Sequence, residues 1–191
     1  MDGPHLIPIS AVNQKLSPGN SIDPFIVRTI HGKEVSIPDR EGRWTHLQFR
    51  RFAGCPICNL HLQTFIRNHH DVEQAGIREV VFFHSSDASL LPYQGHFPFD
   101  VVGDPGKKFY KQFGVESSPL AILNPSAWGA MVKGNLAHDK PAMKGFPENG
   151  PFGLPAEFLI SSEGKLVAVH YGSHAYDQWS VEDVLAKLKT C

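Results

Sequence analysis

The sequence predicts an α/β fold in which a central mixed sheet is flanked by helices. First, segments typical of strands and of amphipathic helices alternate between residue 44 and Gly114. Second, the apolar run at residues 80–83 suits a strand buried on both faces, as in a parallel sheet covered by helices. Third, two strand-like segments around Glu163-Gly164 predict a hairpin. Strands joined by helices run parallel and a hairpin adds antiparallel strands, so the sheet is mixed.

The N-terminal part leads from an irregular arm into the first long strand. The arm, up to about residue 20, is rich in Pro, Gly, Ser and Asn. Two short strands are expected within residues 25–37, with Gly32 as the turn residue. A strand at residues 44–52 is aromatic and apolar, and it runs directly into Cys55.

The segment after Cys55 has its apolar side chains at helical spacing. Cys58, Leu62, Phe65 and Ile66 recur every three to four residues. This periodicity predicts an amphipathic helix that ends before Gly76.

Two further strands and a helix follow. The strands are expected at residues 79–84 and 97–102. Asp104 and Pro105 mark the start of the helix, because Asp caps free amides and Pro suits the first turn. Gly114 marks its end.

Residues 116–152 are predicted to be an irregular insertion with one short helix around Trp128. The segment is dense in Pro, Gly, Ala and Asn. A loop of this length in a compact domain usually has a function or is mobile. We expect residues 1–191 to form one domain that carries this insertion.

The C-terminal part is predicted to be a hairpin followed by a helix. Its strands are expected at residues 156–161 and 165–171. Ser180 followed by Asp183 resembles a capping box, and apolar side chains at helical spacing come after it.

Composition limits the classes of function. Hydrophobic residues make up 41%, charged residues 19%, and the formal net charge is -1. Nucleic acids and acidic membrane surfaces usually bind a clustered excess of Lys and Arg, so neither is an expected partner. No apolar run is long enough for a transmembrane helix, and the start of the chain lacks a secretory signal. Three cysteines are too few for a disulfide framework, so we expect a cytoplasmic protein.

The pair Cys55 and Cys58 is the strongest chemical signal in the sequence. Cys55 lies where a predicted strand meets a predicted helix, with Pro56 at a first-turn position. Free backbone amides and the helix dipole lower a thiol pKa there. Cys58, one turn further, can attack a mixed disulfide on Cys55. Arg50 and Arg51 can add positive potential, although side chains alternate on a strand and at most one of them easily faces the cysteines.

At these residues the chain resembles the thioredoxin superfamily, and more closely its peroxiredoxin-like branch, the alkyl hydroperoxide reductase/thiol-specific antioxidant type. The resemblance runs from about residue 18 and leaves the insertion out. Its motifs are Pro18-Gly19-Asn20 before Pro24-Phe25, Phe49-Arg50-Arg51, Gly54-Cys55-Pro56-Ile57-Cys58, residues 80–83, the helix after Asp104-Pro105, and residues 154–160 (LPAEFLI).

The resemblance implies a thioredoxin-like fold and an enzyme, a thiol–disulfide oxidoreductase with weak thiol peroxidase or antioxidant activity and no cofactor. The implied partners are a disulfide-bearing protein or a small thiol or peroxide substrate, together with an external thiol reductant. A homodimer is compatible with the family. The resemblance also implies that Pro155 is a cis-proline facing the cysteines, in a substrate groove with Leu154, Phe52, Gly54 and Pro56.

One departure from the family pattern affects the expected activity. Peroxiredoxins, the family that this chain resembles, carry Thr or Ser three residues before the peroxide-reacting Cys, and Pro four residues before that Thr or Ser. Counting back from Cys55 gives Phe52 and Gln48, and counting back from Cys58 gives Cys55 and Arg51. The residues present therefore favour dithiol–disulfide exchange over peroxide reduction.

A metal site is the main alternative at the same cysteines. Cys55 and Cys58 with His61, or with the downstream His170 or His174, could hold copper or zinc. Thioredoxin-fold copper-delivery proteins, however, space their cysteines by three residues and not two. On the helix, His61 is expected to point to solvent. We therefore assign no metal to the site.

Three further expectations concern single features. Cys191 can resolve a sulfenic acid or pair with another chain, or it can be a solvated end. Glu157 can be a buried proton acceptor near the thiols, although a solvent-facing strand position is favoured. A third hypothesis is an interaction module that uses residues 116–152 as its binding surface.

Overall fold

The computed structural model describes residues 6–7, 14–118, 125–136 and 147–190. Its strands, in chain order, are β1 Leu6–Ile7, β2 Ser21–Ile22, β3 Phe25–Arg28, β4 Glu34–Ile37, β5 Trp44–Phe49, β6 Ile77–Phe83, β7 Asp100–Gly103, β8 Ala156–Ile160 and β9 Leu166–Tyr171. Its helices are α1 Pro56–Arg67, α2 His69–Gln74, α3 Asp87–Gln94, α4 Lys108–Gln112, α5 Pro125–Leu136 and α6 Val181–Leu188.

A five-stranded mixed sheet forms the centre of the molecule, in the order β7-β6-β5-β8-β9. β5 pairs in parallel with β6 and antiparallel with β8, so Leu47 lies between Val80 and Phe158. β6 and β7 are parallel, and β8 and β9 form the expected antiparallel hairpin. The predicted thioredoxin-like fold is thereby confirmed.

Alternation along the strands gives the sheet two buried faces. One face packs Leu47, Phe49 and Phe158 against the β3–β4 hairpin and α4. The other face carries two apolar clusters beneath the helices. Cys55 and Cys58 belong to one of these clusters, together with Phe52, Leu62, Val81 and Phe83. The partly buried Met131 from α5 packs against it. The cysteines are therefore in the helix-covered layer at the end of β5.

Several element boundaries differ from the predicted ones. β5 ends at Phe49 and not at residue 52, because the chain turns before α1. The first helix ends at Arg67. The side chain of Asn68 donates to the carbonyl of Thr64 at 2.8 Å, and this residue separates α1 from α2. β7 begins later than expected, because Phe97 closes a turn to Gln94.

Asp104 and Ser180 were predicted correctly as capping residues. Pro105, however, does not lie in a first helical turn, because α4 begins only at Lys108 after Lys107 in the left-handed region. Asp104 accepts from the amides of Lys108 and Phe109 at 2.9 and 2.8 Å and so caps α4. Ser180 and Asp183 form a complete capping box at the start of α6.

One helix was missed by the sequence prediction, and the one predicted within the insertion is present but longer than expected. α3 was missed, because Pro92 lies inside it and its apolar residues show little helical periodicity. The helix around Trp128 exists as α5, and it packs on α1. The remaining described part of the insertion, residues 116–118 and 147–152, is irregular. No helix in the described ranges is long and apolar enough to cross a membrane.

Candidate active site

The turn before α1 places Cys55 at the N-cap of that helix. Gly54 has a φ of 69°, and a Cβ there would lie 2.8 Å from the ring of Tyr93, so only glycine fits. Pro56 occupies the first turn, where its missing N–H costs nothing. The Cys55 sulfur accepts from the amide of Cys58 at 3.4 Å.

The two thiols touch and are free. Cys58 Sγ lies 2.8 Å from Cys55 Sγ and donates its S–H to it. Cys55 is 0% exposed and Cys58 is 1% exposed. The pair is therefore a buried dithiol at a helix start.

The two thiols have opposite pKa shifts. Burial raises the pKa of Cys55. The hydrogen bond from the Cys58 thiol, the charge of Arg51 and the amides of Cys58 and Ile57 together outweigh burial and lower the pKa to about 6. Burial raises the pKa of Cys58 well above its usual value, and the bond to Cys55 and the charge of Cys55 add to this effect. At neutral pH the pair therefore carries its negative charge on Cys55.

Arg51 is the arginine that faces the thiols. Its Nη1 lies 3.7 Å from Cys55 Sγ, and its Nε and Nη2 donate to the carbonyl of Pro151. Arg50 points the other way and forms a fully buried ion pair with Glu157. It also donates to Gln48. The two side chains alternate as expected, which settles the choice left open by the sequence.

Glu157 and His61 are placed differently from the favoured expectations. Glu157 is fully buried and not solvent-facing, because β8 is covered on this face and the carboxylate pairs with Arg50 and the amide of Trp179. His61 is buried too, and its Nε2 donates to the carbonyl of Trp179 at 2.8 Å. Burial first, then the charge of Arg50, lowers the pKa of His61 to about 4.

The expected cis bond before Pro155 is absent. Among the described residues, the cis peptide bond is the one between Ile37 and Pro38. Pro155 enters β8 as an ordinary proline, because its carbonyl accepts from Gly172 and the amide of Leu154 donates to Glu116, which keeps the chain extended. A groove role for Pro155 and Leu154 stays a prediction.

The other predicted groove residues surround Cys55 in the chain. Phe52 is buried, and its ring lies 5.1 Å from the Arg51 guanidinium carbon. Gly54 and Pro56 shape the turn on either side of Cys55. Their contact with a substrate is likewise a prediction.

Residues 147–153, here called the strap, cross the ends of the strands next to the cysteines. Asn149 Nδ2 donates to the carbonyls of His84 and Pro105 at 3.0 and 2.8 Å. The Glu148 carboxylate accepts from the amide of Ser86 at 2.8 Å. Together with the bond from Arg51 to Pro151, these contacts tie the end of the insertion to the site.

Sequence reasoning missed both the strap and His84. His84 follows β6 directly, and it is fully buried next to the strap. The sequence could have indicated His84 by its position directly after a buried parallel strand, because binding sites in parallel sheets lie at the carboxyl ends of the strands.

The metal alternative receives no support in the described ranges. No group of three His, Cys, Asp or Glu side chains there is arranged to hold a metal ion. His170 binds Asp177, and His174 accepts from the amide of Tyr176. Cys191 lies outside the described residues.

Sequence comparison decides the family. A family model described as AhpC/TSA antioxidant enzyme matches residues 62–174, more than half of the chain. The chain belongs to the AhpC/TSA family. The matched span begins after Cys58, so it does not include the cysteine pair of this AhpC/TSA member. No curated protein sequence matches the chain.

Solved structures share the fold. Peroxidoxin BcpB from Mycobacterium tuberculosis is 13% identical, with a TM-score of 0.65 over 93% of this chain and 98% of that one. Peroxiredoxin Q from Xanthomonas campestris is 18% identical, with a TM-score of 0.59 over 87% and 90%. A putative thiol:disulfide interchange protein DsbE from Chlorobium tepidum is 16% identical, with a TM-score of 0.58 over 92% and 99%. The AhpC/TSA member thus has the architecture of both peroxiredoxins and disulfide-exchange proteins.

Proposed function

We propose that the protein is a thiol–disulfide oxidoreductase that works through Cys55 and Cys58. The observation that carries this proposal is the contact of the two free thiols at 2.8 Å, with Arg51 beside Cys55. Exchange through a mixed disulfide needs one sulfur that is ionised near neutral pH and a second thiol within reach of it. This pair has both properties.

Cys55 is the attacking sulfur. Its thiolate attacks one sulfur of a substrate disulfide, so a bond forms between Cys55 and that sulfur while the substrate S–S bond breaks. The other substrate sulfur leaves as a thiolate and takes a proton from water. The amide of Cys58 and the charge of Arg51 hold Cys55 in the ionised form before the attack.

Cys58 is the resolving thiol. The charge on Cys55 helps to raise the pKa of Cys58, and this charge disappears when the mixed disulfide forms. Cys58 then loses its proton more easily and attacks Cys55 Sγ. A disulfide between Cys55 and Cys58 forms, and the second substrate sulfur leaves reduced.

Two electrons pass from the protein to the substrate, so an external thiol reductant must reduce Cys55 and Cys58 after each turnover. The substrate is a disulfide-bearing protein or a small disulfide, and no cofactor is needed. The cytoplasm is a suitable compartment, because its thiol pool keeps such a pair reduced.

Thiol peroxidase activity is the second candidate, and the match to a family of antioxidant enzymes favours it. The Cys55 thiolate would attack one oxygen of a hydroperoxide. An S–O bond would form, the O–O bond would break, and an alcohol or water would leave. Cys58 would then attack the sulfenic acid and release water.

Insulin reduction with an external dithiol tests the proposed function. We expect Cys55→Ser to abolish turnover, because no other thiolate in the pair is available. Cys58→Ser should lose turnover but accumulate a mixed disulfide on Cys55, detectable by mass spectrometry. Cys191→Ser is the matched control and should keep the wild-type rate. Full activity of Cys55→Ser would show that the assignment is wrong.

A further inference from the structure

His84 lies beside the loop that carries Cys55. Its backbone N–H donates to the carbonyl of Arg51 at 3.0 Å, so the first residue after β6 runs alongside this loop. The imidazole ring packs 6.3 Å from the ring of Phe52 and edge-on at 5.7 Å to Tyr110. These contacts hold the ring at the edge of the sheet where the thiols lie.

The imidazole of His84 is buried with unused hydrogen-bonding capacity. The residue is 0% exposed, and within the described part of the chain neither ring nitrogen makes a hydrogen bond of normal geometry, although the backbone of Glu148 lies close enough to the ring to raise its pKa slightly. Buried polar side chains are nearly always hydrogen-bonded, and one without a partner destabilises the protein. Such a ring next to a reactive thiol indicates a group that bonds to a bound molecule.

The surroundings of His84 keep its ring neutral. Burial first, and then the charges of Lys107 and Arg51, lower the pKa of His84 to about 4, against smaller raising effects of its own backbone and that of Glu148. At neutral pH the ring therefore offers one N–H donor and one nitrogen acceptor. A neutral imidazole N–H can stabilise an oxygen on which negative charge develops.

The strap brings His84 and Arg51 to the same place. A Cβ on Gly153 would lie 2.8 Å from His84 Nε2 and 3.6 Å from Arg51 Cγ, so the strap backbone closes over both side chains. Arg51 in turn reaches Cys55 Sγ at 3.7 Å. Arg51 therefore contacts the reactive sulfur with its guanidinium, and the strap backbone lies next to both Arg51 and the His84 ring.

We propose that His84 is a substrate-binding residue that hydrogen-bonds a hydroperoxide as it reacts with Cys55 beneath the strap. A hydroperoxide carries an O–H donor and acceptor oxygens, which match the one acceptor and one donor of the ring, whereas a disulfide offers only weak sulfur acceptors. The Cys55 thiolate forms an S–O bond and is oxidised to a sulfenic acid. The O–O bond breaks, and the leaving oxygen takes its proton from water while His84 N–H donates to it. This inference rests on the second candidate function, thiol peroxidase activity, because it requires Cys55 as the nucleophile toward a hydroperoxide.

The test compares two reagents on the full-length reduced protein. Hydrogen peroxide and iodoacetamide are reacted with wild type, His84→Phe and His84→Gln, and the loss of free Cys55 is followed by mass spectrometry. His84→Phe should react roughly three- to tenfold more slowly with hydrogen peroxide, the effect of about one hydrogen bond. Its reaction with iodoacetamide should change by less than about twofold. His84→Gln keeps a donor and an acceptor and should retain most of the peroxide rate.

Two results would overturn the role of His84. One is an unchanged peroxide rate in His84→Phe. The other is an equal slowing with both reagents, which would indicate a structural effect. If Cys55→Ser instead loses its thiols to hydrogen peroxide as fast as wild type does, Cys55 is not the nucleophile. The failure of the His84 role and the failure of the Cys55 assignment are therefore distinguishable.

A measurement without a His84 variant covers the case in which His84→Phe does not fold. In ¹⁵N-labelled Cys55→Ser protein, titration with hydrogen peroxide should shift the ring nitrogen resonances of His84. The exposed His31 is the control and should not shift. Unchanged His84 resonances at saturating peroxide would refute binding at this ring.

Discussion

Arg51 Nη1 lies 3.7 Å from Cys55 Sγ, and the same guanidinium binds the carbonyl of Pro151 in the strap. One side chain therefore contacts the thiolate and holds the neighbouring strap. This double contact links the chemistry of the cysteine pair to the insertion, which the sequence presents as a separate irregular segment.

Replacing Arg51 should make Cys55 a weaker acid. In Arg51→Gln the thiolate loses its nearest positive charge, so the Cys55 pKa should rise from about 6 toward the free-cysteine value of roughly 8.5. The absorbance of the thiolate at 240 nm against pH measures this shift. Arg67→Gln removes an exposed positive charge at the far end of α1 and is the control. Equal titration of the two variants would refute the role of Arg51.

Replacing Glu157 should destabilise the fold. Glu157→Gln leaves the buried Arg50 guanidinium without its counter-charge, which costs about 3–5 kcal/mol of the free energy of unfolding. Urea unfolding at pH 7 measures the loss. Glu163→Gln, on the exposed hairpin turn, is the control and should change stability by less than about 0.5 kcal/mol.

The effect of Glu157→Gln should also depend on pH. Burial raises the pKa of Glu157, but the charge of Arg50 outweighs it and lowers the pKa below its usual value. A lowered pKa means that the carboxylate stabilises the fold above its unfolded-state pKa, and that this stability is lost as the pH falls through the folded-state value. The difference between wild type and variant should therefore shrink in acid. A difference that grows below pH 4 would contradict the buried ion pair.

Adding a methyl group at Gly54 should disturb the turn that carries Cys55. Gly54→Ala combines an unfavourable positive φ with a contact of 2.8 Å to the Tyr93 ring. Gly42 also has a positive φ, but nothing lies within 4 Å of its Cβ position, so Gly42→Ala isolates the backbone effect of about 1–2 kcal/mol. Urea unfolding should show a larger loss for Gly54→Ala. Equal losses would mean that Tyr93 moves away at no cost.

Loosening the strap should expose Cys55. Asn149→Gly removes two side-chain hydrogen bonds to His84 and Pro105, while glycine accepts the positive φ of 60° at this position. Two bonds are worth about 1 kcal/mol each, so alkylation of Cys55 by iodoacetamide should become several-fold faster. Asn20→Gly, in a loop distant in sequence, is the control. An unchanged alkylation rate would show that access to Cys55 does not depend on the strap.

The sequence predicted the site where its determinants are local. Cys55 as an N-cap, Pro56 in the first turn and the apolar spacing after Cys58 are all properties of one short segment. The capping box at Ser180 is local in the same way. The mixed sheet also followed, because strand order is strongly restricted when helices connect strands.

The remaining parts of the site depend on contacts between distant segments. The burial of Glu157 follows from a pairing with Arg50 across more than a hundred residues. The contact of Arg51 with the strap likewise joins segments about a hundred residues apart. His84 carries no motif, and its importance appears only when the strap and the loop before α1 come together around it.

The pH dependence of alkylation at each cysteine shows which of the two sulfurs is the attacking thiolate. The reduced wild-type protein is treated with iodoacetamide across the pH range, and mass spectrometry locates the modified sulfur. We expect Cys55 to be modified first, with a midpoint near pH 6, and Cys58 to stay protected until well above its usual pKa. Modification of Cys58 first, or a midpoint for Cys55 near or above roughly 8.5, would contradict the assignment of Cys55 as the attacking thiolate.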